Sequence, residues 1–131
     1  LENIKIPQGV IFTGVLKGEA LKMQYKNASV FILPSIEEGQ ALVQGEALSM
    51  GVPLLISTNT GGDDLITDGK EGFIVEAGKV DPLANRLQQM ADDKKLLSKM
   101  SESALKTSHT LGSWDTAVIT LLNQLNSFQK K

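Results

Sequence analysis

Two glutamates eight residues apart, Glu38 and Glu46, stand at the start of an apolar segment in the stretch PSIEEGQALVQGEALSMGVPLLIS. Glu38 follows the apolar run Val30-Phe31-Ile32-Leu33, which Pro34 ends. Gly39, Gln40 and Ala41 then open a helical segment, and Glu46 lies inside it. Glycine at such a strand-to-helix loop lets a ligand approach the backbone closely. The first helical turn offers free N–H groups and the positive end of the helix dipole, which together suit a phosphate. Glu46 is about five residues past that terminus, roughly 7.5 Å along the axis at ~1.5 Å per residue. A diol one sugar away from a phosphate is within its reach. The pattern therefore describes a nucleoside diphosphate site with an acidic residue on the ribose hydroxyls and Glu38 at the mouth, facing whatever the distal phosphate carries. The same spacing also arises where glutamates only complement a helix dipole, and spacing alone leaves both readings open.

The elements that must position these residues are legible as alternating short apolar runs and amphipathic segments. Val10-Ile11-Phe12, stopped by Gly14, reads as a buried strand. Gly18 to Asn27 reads as a helix, with Leu21, Tyr25 and Ala28 at helical spacing. Val30 to Leu33 is a second strand. A helix is expected from near Gln40 to Gly51, a residue suited to the left-handed conformation that follows a helix. Pro53 to Ser57 is a third strand, and Gly72 to Glu76 a fourth. The polar stretch Thr58 to Gly62 lies between these two, and Gly61-Gly62 reads as a turn. Continuous apolar runs alternating with helices are what a parallel sheet covered on both faces produces, so this region reads as α/β. In such sheets ligands bind beyond the carboxyl ends of the strands, which is where Glu38 falls. The remainder is helical. Asp81-Pro82 is expected to cap one helix marked by Leu83, Leu87 and Met90. Leu96, Leu97, Met100 and Ala104 mark another. Ser113 is expected to cap a last one, with Trp114, Val118, Leu121, Leu122 and Leu125 along one stripe.

Composition narrows the function classes. The chain has 131 residues, 41% hydrophobic and 21% charged, which fits one globular domain spanning 1–131. A formal charge of −2, with Arg86 as the only arginine and the lysines dispersed, argues against nucleic acid or an anionic membrane as partner. With no cysteine, disulfides, zinc thiolates and cysteine nucleophiles are excluded. No apolar run approaches the roughly 20 residues of a membrane helix. His109, the sole histidine, lies between polar helical segments and pairs with no evident carboxylate, so a solvated or capping role is expected. Asp63-Asp64 reads as a pair of dipole partners at a helix start rather than as a metal site.

Beyond these physical signals, Pro34-Ser35-Ile36-Glu37-Glu38-Gly39, then Glu46-Ala47, then Gly51-Val52-Pro53 resemble the signature of family-four retaining glycosyltransferases (glycosyl transferases group 1). That pattern is PS-x-x-EG-x-G-x-x-x-x-EA-x-x-x-G-x-P. Val10-Ile11-Phe12-Thr13-Gly14 is similar to the family's V-x-F-x-G strand. Gly61-Gly62, Asp68-Gly69 and Gly72-Phe73-Ile74-Val75 are similar to its G-G-x-x-E, D-G and G-x-L-V segments, and Ser113-Trp114 to the tryptophan opening its final helix. Two departures stand out: Gly39-Gln40-Ala41 replaces the usual Gly-Phe-Gly, and Asp64 stands where the family has glutamate. They leave the donor sugar open.

The resemblance implies a fragment of a GT-B enzyme: an incomplete Rossmann-like parallel sheet of about four strands with helices on both faces and a helical C-terminal end. It corresponds to the later part of the C-terminal donor-binding domain, without the N-terminal acceptor domain or the earlier part that normally supplies an arginine and a lysine for the diphosphate. It implies that Glu38 is catalytic, contacting the donor sugar, and that Glu46 holds the ribose. Backbone amides from Gly39 through Gln40 and Ala41 to Leu42 are implied to stabilise the leaving diphosphate. The implied substrates are a UDP- or GDP-sugar and an unknown glycan or lipid-linked acceptor, with no metal and no further cofactor. The implied setting is cytoplasmic, including an enzyme peripheral at the inner membrane face. In the family's domain two further strands lie between the Val10 strand and the Val30 strand. Without them the chain can pair the two directly, recruit another molecule's edge or leave the first strand loosely ordered; direct pairing or recruitment is the expectation, so that self-association through an exposed sheet edge is a further one. A degenerate, non-catalytic interaction module is the alternative that the Gln40-Ala41 departure would fit. A dehydrogenase-like Rossmann enzyme fits less well, since no G-x-G-x-x-G follows any strand.

Overall fold

A computed structural model describes residues 6–39 and 42–111. Its elements run α1 (Gly18–Asn27), β1 (Phe31–Leu33), α2 (Leu42–Ser49), β2 (Leu54–Ser57), a 3-10 turn (Gly62–Asp64), β3 (Gly72–Val75), α3 (Val80–Asp92) and α4 (Lys94–Thr110). The three strands form one parallel sheet in the order β1-β2-β3. Phe31 is opposite Leu54, and Leu54 opposite Gly72.

The central strand β2 is buried along its whole length, as a strand covered on both faces must be. Its side chains alternate between two cores. Leu54 and Ile56 join Tyr25 of α1, Ala47 and Leu48 of α2 and Ala104 of α4 on one face. Leu55 joins Phe73 and Val75 of β3, Met90 of α3 and Met100 of α4 on the other. The helices thus cover both faces, as the apolar pattern predicts. Gly51 ends α2 in the left-handed conformation with φ 72°, and its N–H donates to Leu48 O at 2.9 Å. Asp93 separates α3 from α4, and its carboxylate caps α4 by accepting from the N–H groups of Lys95 and Leu96 at 3.0 and 2.9 Å.

Three expectations are corrected. Among the described residues the sheet has three strands, not four. Val10, Ile11 and Phe12 form no strand and pair with none of the described strands; they are 51%, 82% and 78% exposed. The run has the right composition, but a three-residue strand has too few bonds and too little burial to persist without neighbours on the sheet. It does not close onto β1, whose described neighbour is β2 alone. Lastly, α3 starts at Val80 with Lys79 as its N-cap, so Asp81 lies in the first turn and complements the dipole from there. The helix expected after Ser113, with Trp114, Val118, Leu121, Leu122 and Leu125, lies outside the described residues.

Candidate functional site

The carboxyl ends of β1 and β2 are tied together by side chains. Ser57, the last residue of β2, donates through its hydroxyl to Ser35 O and, at 3.4 Å, to Leu33 O. The loop after β1 is clamped to the loop after β2 by a reciprocal pair. Glu38 N–H donates to Asn59 O at 2.9 Å, and Asn59 Nδ2 donates to Ile36 O at 3.3 Å. Asn59 makes this possible by adopting the left-handed conformation, φ 67°, which asparagine tolerates better than most residues. One turn into α2, the buried Gln44 donates from Nε2 to Thr60 O at 2.7 Å. The Thr60 hydroxyl in turn donates to Ser57 O at 2.8 Å. The loop bearing Glu38 and the start of α2 are therefore both fixed to the same four residues, 57–60.

Gly62 allows this close approach. A Cβ there would stand 1.9 Å from Ile56 Cδ1 and 2.7 Å from Gln44 Oε1. Gln44 Oε1 itself is buried without a partner among the described residues.

On this scaffold both glutamates are exposed. The Glu38 carboxylate accepts a bond from the Ser35 hydroxyl at 3.3 Å. The Glu46 carboxylate accepts one from the Tyr25 hydroxyl at 3.1 Å. They share no partner and sit at different depths along α2, one before its first turn and one in its second. Gly39 lies exposed in the loop and Leu42 begins α2, 72% exposed. Gln40 and Ala41 lie outside the described residues. The geometry offers one carboxylate at the mouth of a braced loop, a second a turn further along, and a helix start between them.

Burial pushes the Tyr25 phenol up to about 12, with the hydrogen bond to Glu46 and that carboxylate's charge adding to it. Tyr25 is therefore a hydrogen-bond donor at any neutral pH. A separate cleft of about 220 Å³ opens at the same edge of the sheet on the α3 side, lined by Pro34, Ile36, Ser57, Val75 and Leu83 among others. Neither glutamate lines it. Among the described residues no three His, Asp or Glu side chains gather as metal ligands, and no helix is long and apolar enough to cross a membrane.

The chain that carries this loop has counterparts among known proteins. Residues 1–107 match the family model for glycosyl transferases group 1. The chain belongs to that family. Group 1 relatives include the sulfoquinovosyl transferase SQD2 of Arabidopsis thaliana, 28% identical over 95% of this chain and 25% of its own length. Another is the UDP-Gal:alpha-D-GlcNAc-diphosphoundecaprenol alpha-1,3-galactosyltransferase of Escherichia coli, 38% identical over 60% of this chain and 20% of its own. The fold is shared with the sucrose-phosphate synthase of Thermosynechococcus elongatus at a TM-score of 0.82 and 22% identity, covering 92% of this chain and 30% of that one. The chain thus spans a fifth to a quarter of the length of these curated group 1 relatives, and its architecture is part of a GT-B glycosyltransferase fold.

Sequence reasoning located Glu38 and Glu46 but not the residues that brace them. Tyr25 reads only as one position of an apolar stripe. The signal that could have marked it is its hydroxyl, which a buried tyrosine must satisfy. Asn59, Gln44 and Ser57 carry no sequence signal of their own, because their roles depend on contacts 16 to 24 residues away.

Proposed function

We propose that this chain is the later part of the donor-binding domain of a retaining glycosyltransferase of family four, which moves a sugar from a UDP- or GDP-sugar to a glycan or lipid-linked acceptor. The observation that carries the reading is the pair of exposed carboxylates, Glu38 in a loop clamped by Asn59 and Glu46 one turn inside α2. The Escherichia coli relative, named for a UDP-galactose donor and a diphosphoundecaprenol-linked acceptor, supports the substrate class.

In this reading the diphosphate lies at the start of α2. The bond between the anomeric carbon and the β-phosphate oxygen breaks while the acceptor hydroxyl oxygen bonds to that carbon on the same face and its proton passes to the departing phosphate oxygen. Negative charge develops on the departing diphosphate. Backbone amides from Gly39 to Leu42 and the helix dipole meet that charge, a contribution worth most in the transition state. Glu38 accepts hydroxyls of the donor sugar at the loop mouth, and Glu46 accepts those of the ribose. A loop already braced by residues 57–60 needs little reorganisation to do this.

Among the described residues β1 pairs only with β2, which supports a place beside it for further strands of the same fold that would bring the cationic residues for the diphosphate. Each charge-assisted contact is worth about 1.5–3 kcal/mol. Two of them together correspond to about 10²–10⁴-fold in affinity. Calorimetric titration with UDP and GDP tests this. Binding by the isolated chain is expected to be weaker than by the full-length enzyme by that factor, with no sugar transfer. Micromolar binding by the isolated chain would contradict the dependence on the rest of the enzyme.

A further inference from the structure

Tyr25 carries a hydroxyl that packing does not require. It lies near the end of α1, 8% exposed, in the core shared with Leu48, Leu54 and Ile56. Its ring is tilted 41° against Phe31 at a centroid distance of 6.1 Å. Phenylalanine would fill this place equally well, and a buried hydroxyl is costly unless it is bonded. The hydroxyl reaches the rim of the core and donates to Glu46 Oε2 at 3.1 Å.

Glu46 lies on an α2 turn whose neighbours Gln44, Ala47 and Leu48 are buried, while Glu46 itself is exposed. An exposed glutamate samples several rotamers, and ordering it for a ligand costs conformational entropy. The rigid Tyr25 ring removes part of that freedom before any ligand arrives. The bond uses one lone pair of one carboxylate oxygen. The second oxygen accepts no other hydrogen bond among the described residues, so the carboxylate keeps capacity for two further donors, the number a vicinal diol presents.

We propose that Tyr25 is a positioning residue, whose hydroxyl holds the Glu46 carboxylate in the orientation that accepts both hydroxyls of a nucleotide ribose and so sets the preference for ribose over deoxyribose donors. This rests on the ribose role of Glu46 proposed above. The phenol, pushed up to about 12, donates throughout the neutral range, so the preference is independent of pH there.

The test uses the full-length enzyme and its Tyr25→Phe, Glu46→Ala and Glu46→Asp variants. The probes are UDP, GDP, ADP and CDP and their 2′,3′-dideoxy counterparts, titrated by calorimetry. Tyr25→Phe keeps the ring and is expected to weaken the preferred ribonucleotide about 10-fold. Its dideoxy counterpart should bind as before, so the ribose preference shrinks by the same factor. Turnover at saturating donor should stay within about twofold, because a contact made equally in ground and transition states acts on KM. Glu46→Ala is expected to abolish the preference, and adding Tyr25→Phe to it should change nothing more. Glu46→Asp draws the carboxylate back from Tyr25 by one methylene and should reproduce the partial loss without touching the aromatic core.

Equal weakening of ribo- and dideoxynucleotides by Tyr25→Phe would make Tyr25 a packing residue and overturn the proposal. An intact preference in Tyr25→Phe, with its loss in Glu46→Ala, would overturn the proposal while leaving the ribose role standing. An intact preference in Glu46→Ala, or no binding of any of the four nucleotides by the wild type, would overturn the ribose role and the proposal with it.

Discussion

Glu71 is 1% exposed, at the entry to β3, yet it is an acid. Burial alone would raise its carboxyl. The Thr67 N–H at 2.9 Å, Lys70 Nζ at 2.9 Å and the Thr107 hydroxyl at 2.8 Å outweigh that and hold it below its ordinary 4.5. One of these donors, Thr107, joins the loop before β3 to α4. Replacing Glu71 by alanine orphans the Thr67 N–H and the Thr107 hydroxyl, at about 1–3 kcal/mol each. The lower end applies to both, since Thr67 is exposed and Thr107 only half-buried, so each can turn to water. Losing the one buried methylene, Cγ, adds about 0.8 kcal/mol. Glu71→Ala is therefore expected to cost about 3 kcal/mol. Glu71→Gln, which keeps its shape and one acceptor oxygen, should cost about 1–2 kcal/mol. Lys70 is 63% exposed, so Lys70→Ala should cost less than about 1 kcal/mol.

Urea unfolding of the three variants reads these values directly. The pH dependence follows from the sign of the shift. A carboxyl lowered in the folded state contributes stability that is full above 4.5 and is lost as pH falls from there through the folded value. The gap between the parent and Glu71→Gln should accordingly narrow on acidification below 4.5. A Lys70→Ala cost equal to that of Glu71→Ala would refute the reasoning, since the exposed ion pair would then be the stabilising element.

Gly72 faces the backbone of β2, and a Cβ there would lie 1.9 Å from Leu54 O and 2.7 Å from Leu54 N. Neither can move without breaking the sheet, so Gly72→Ala is expected to cost more than about 4 kcal/mol and to yield little soluble folded protein. Tyr25, the only tyrosine in the sequence, has its phenol raised from 10.0 to about 12 by burial, then by Glu46. The stability it contributes is full below pH 10 and is lost as pH climbs from 10 to about 12. Alkaline unfolding followed by circular dichroism should show that loss, and Tyr25→Phe should unfold with a flatter dependence over the same interval.

How much of this was legible in the sequence depends on where each signal resides. β1, β2 and β3 declare themselves as continuous apolar runs because a doubly covered parallel strand tolerates nothing else. The 10–12 run has the same composition and fails as a strand, because pairing depends on neighbours that composition does not contain. The Glu38 and Glu46 spacing survives in the structure because both belong to one local loop-and-helix unit. Glu71 in DGKEG looks like part of a solvated turn, and only Thr107, 36 residues on, reveals it as buried. Tyr25 is similarly explained only by Glu46, 21 residues away. Local elements are readable in the sequence, while the long-range hydrogen bonds that brace them are not.

The central claim is that the two glutamates divide the work, Glu46 holding the nucleotide and Glu38 the sugar in flight. Measuring bare-nucleotide affinity and turnover for Glu38→Ala and Glu46→Ala in the full-length enzyme tests it most directly. Glu46→Ala should weaken the bare nucleotide by about 1.5–3 kcal/mol, the worth of charged hydrogen bonds to a diol. Glu38→Ala should leave bare-nucleotide affinity nearly unchanged and lower turnover strongly, as expected of an interaction that strengthens only in the transition state. Turnover in Glu38→Ala equal to that of the parent, or small stability losses in both variants without any split between binding and turnover, would contradict the account.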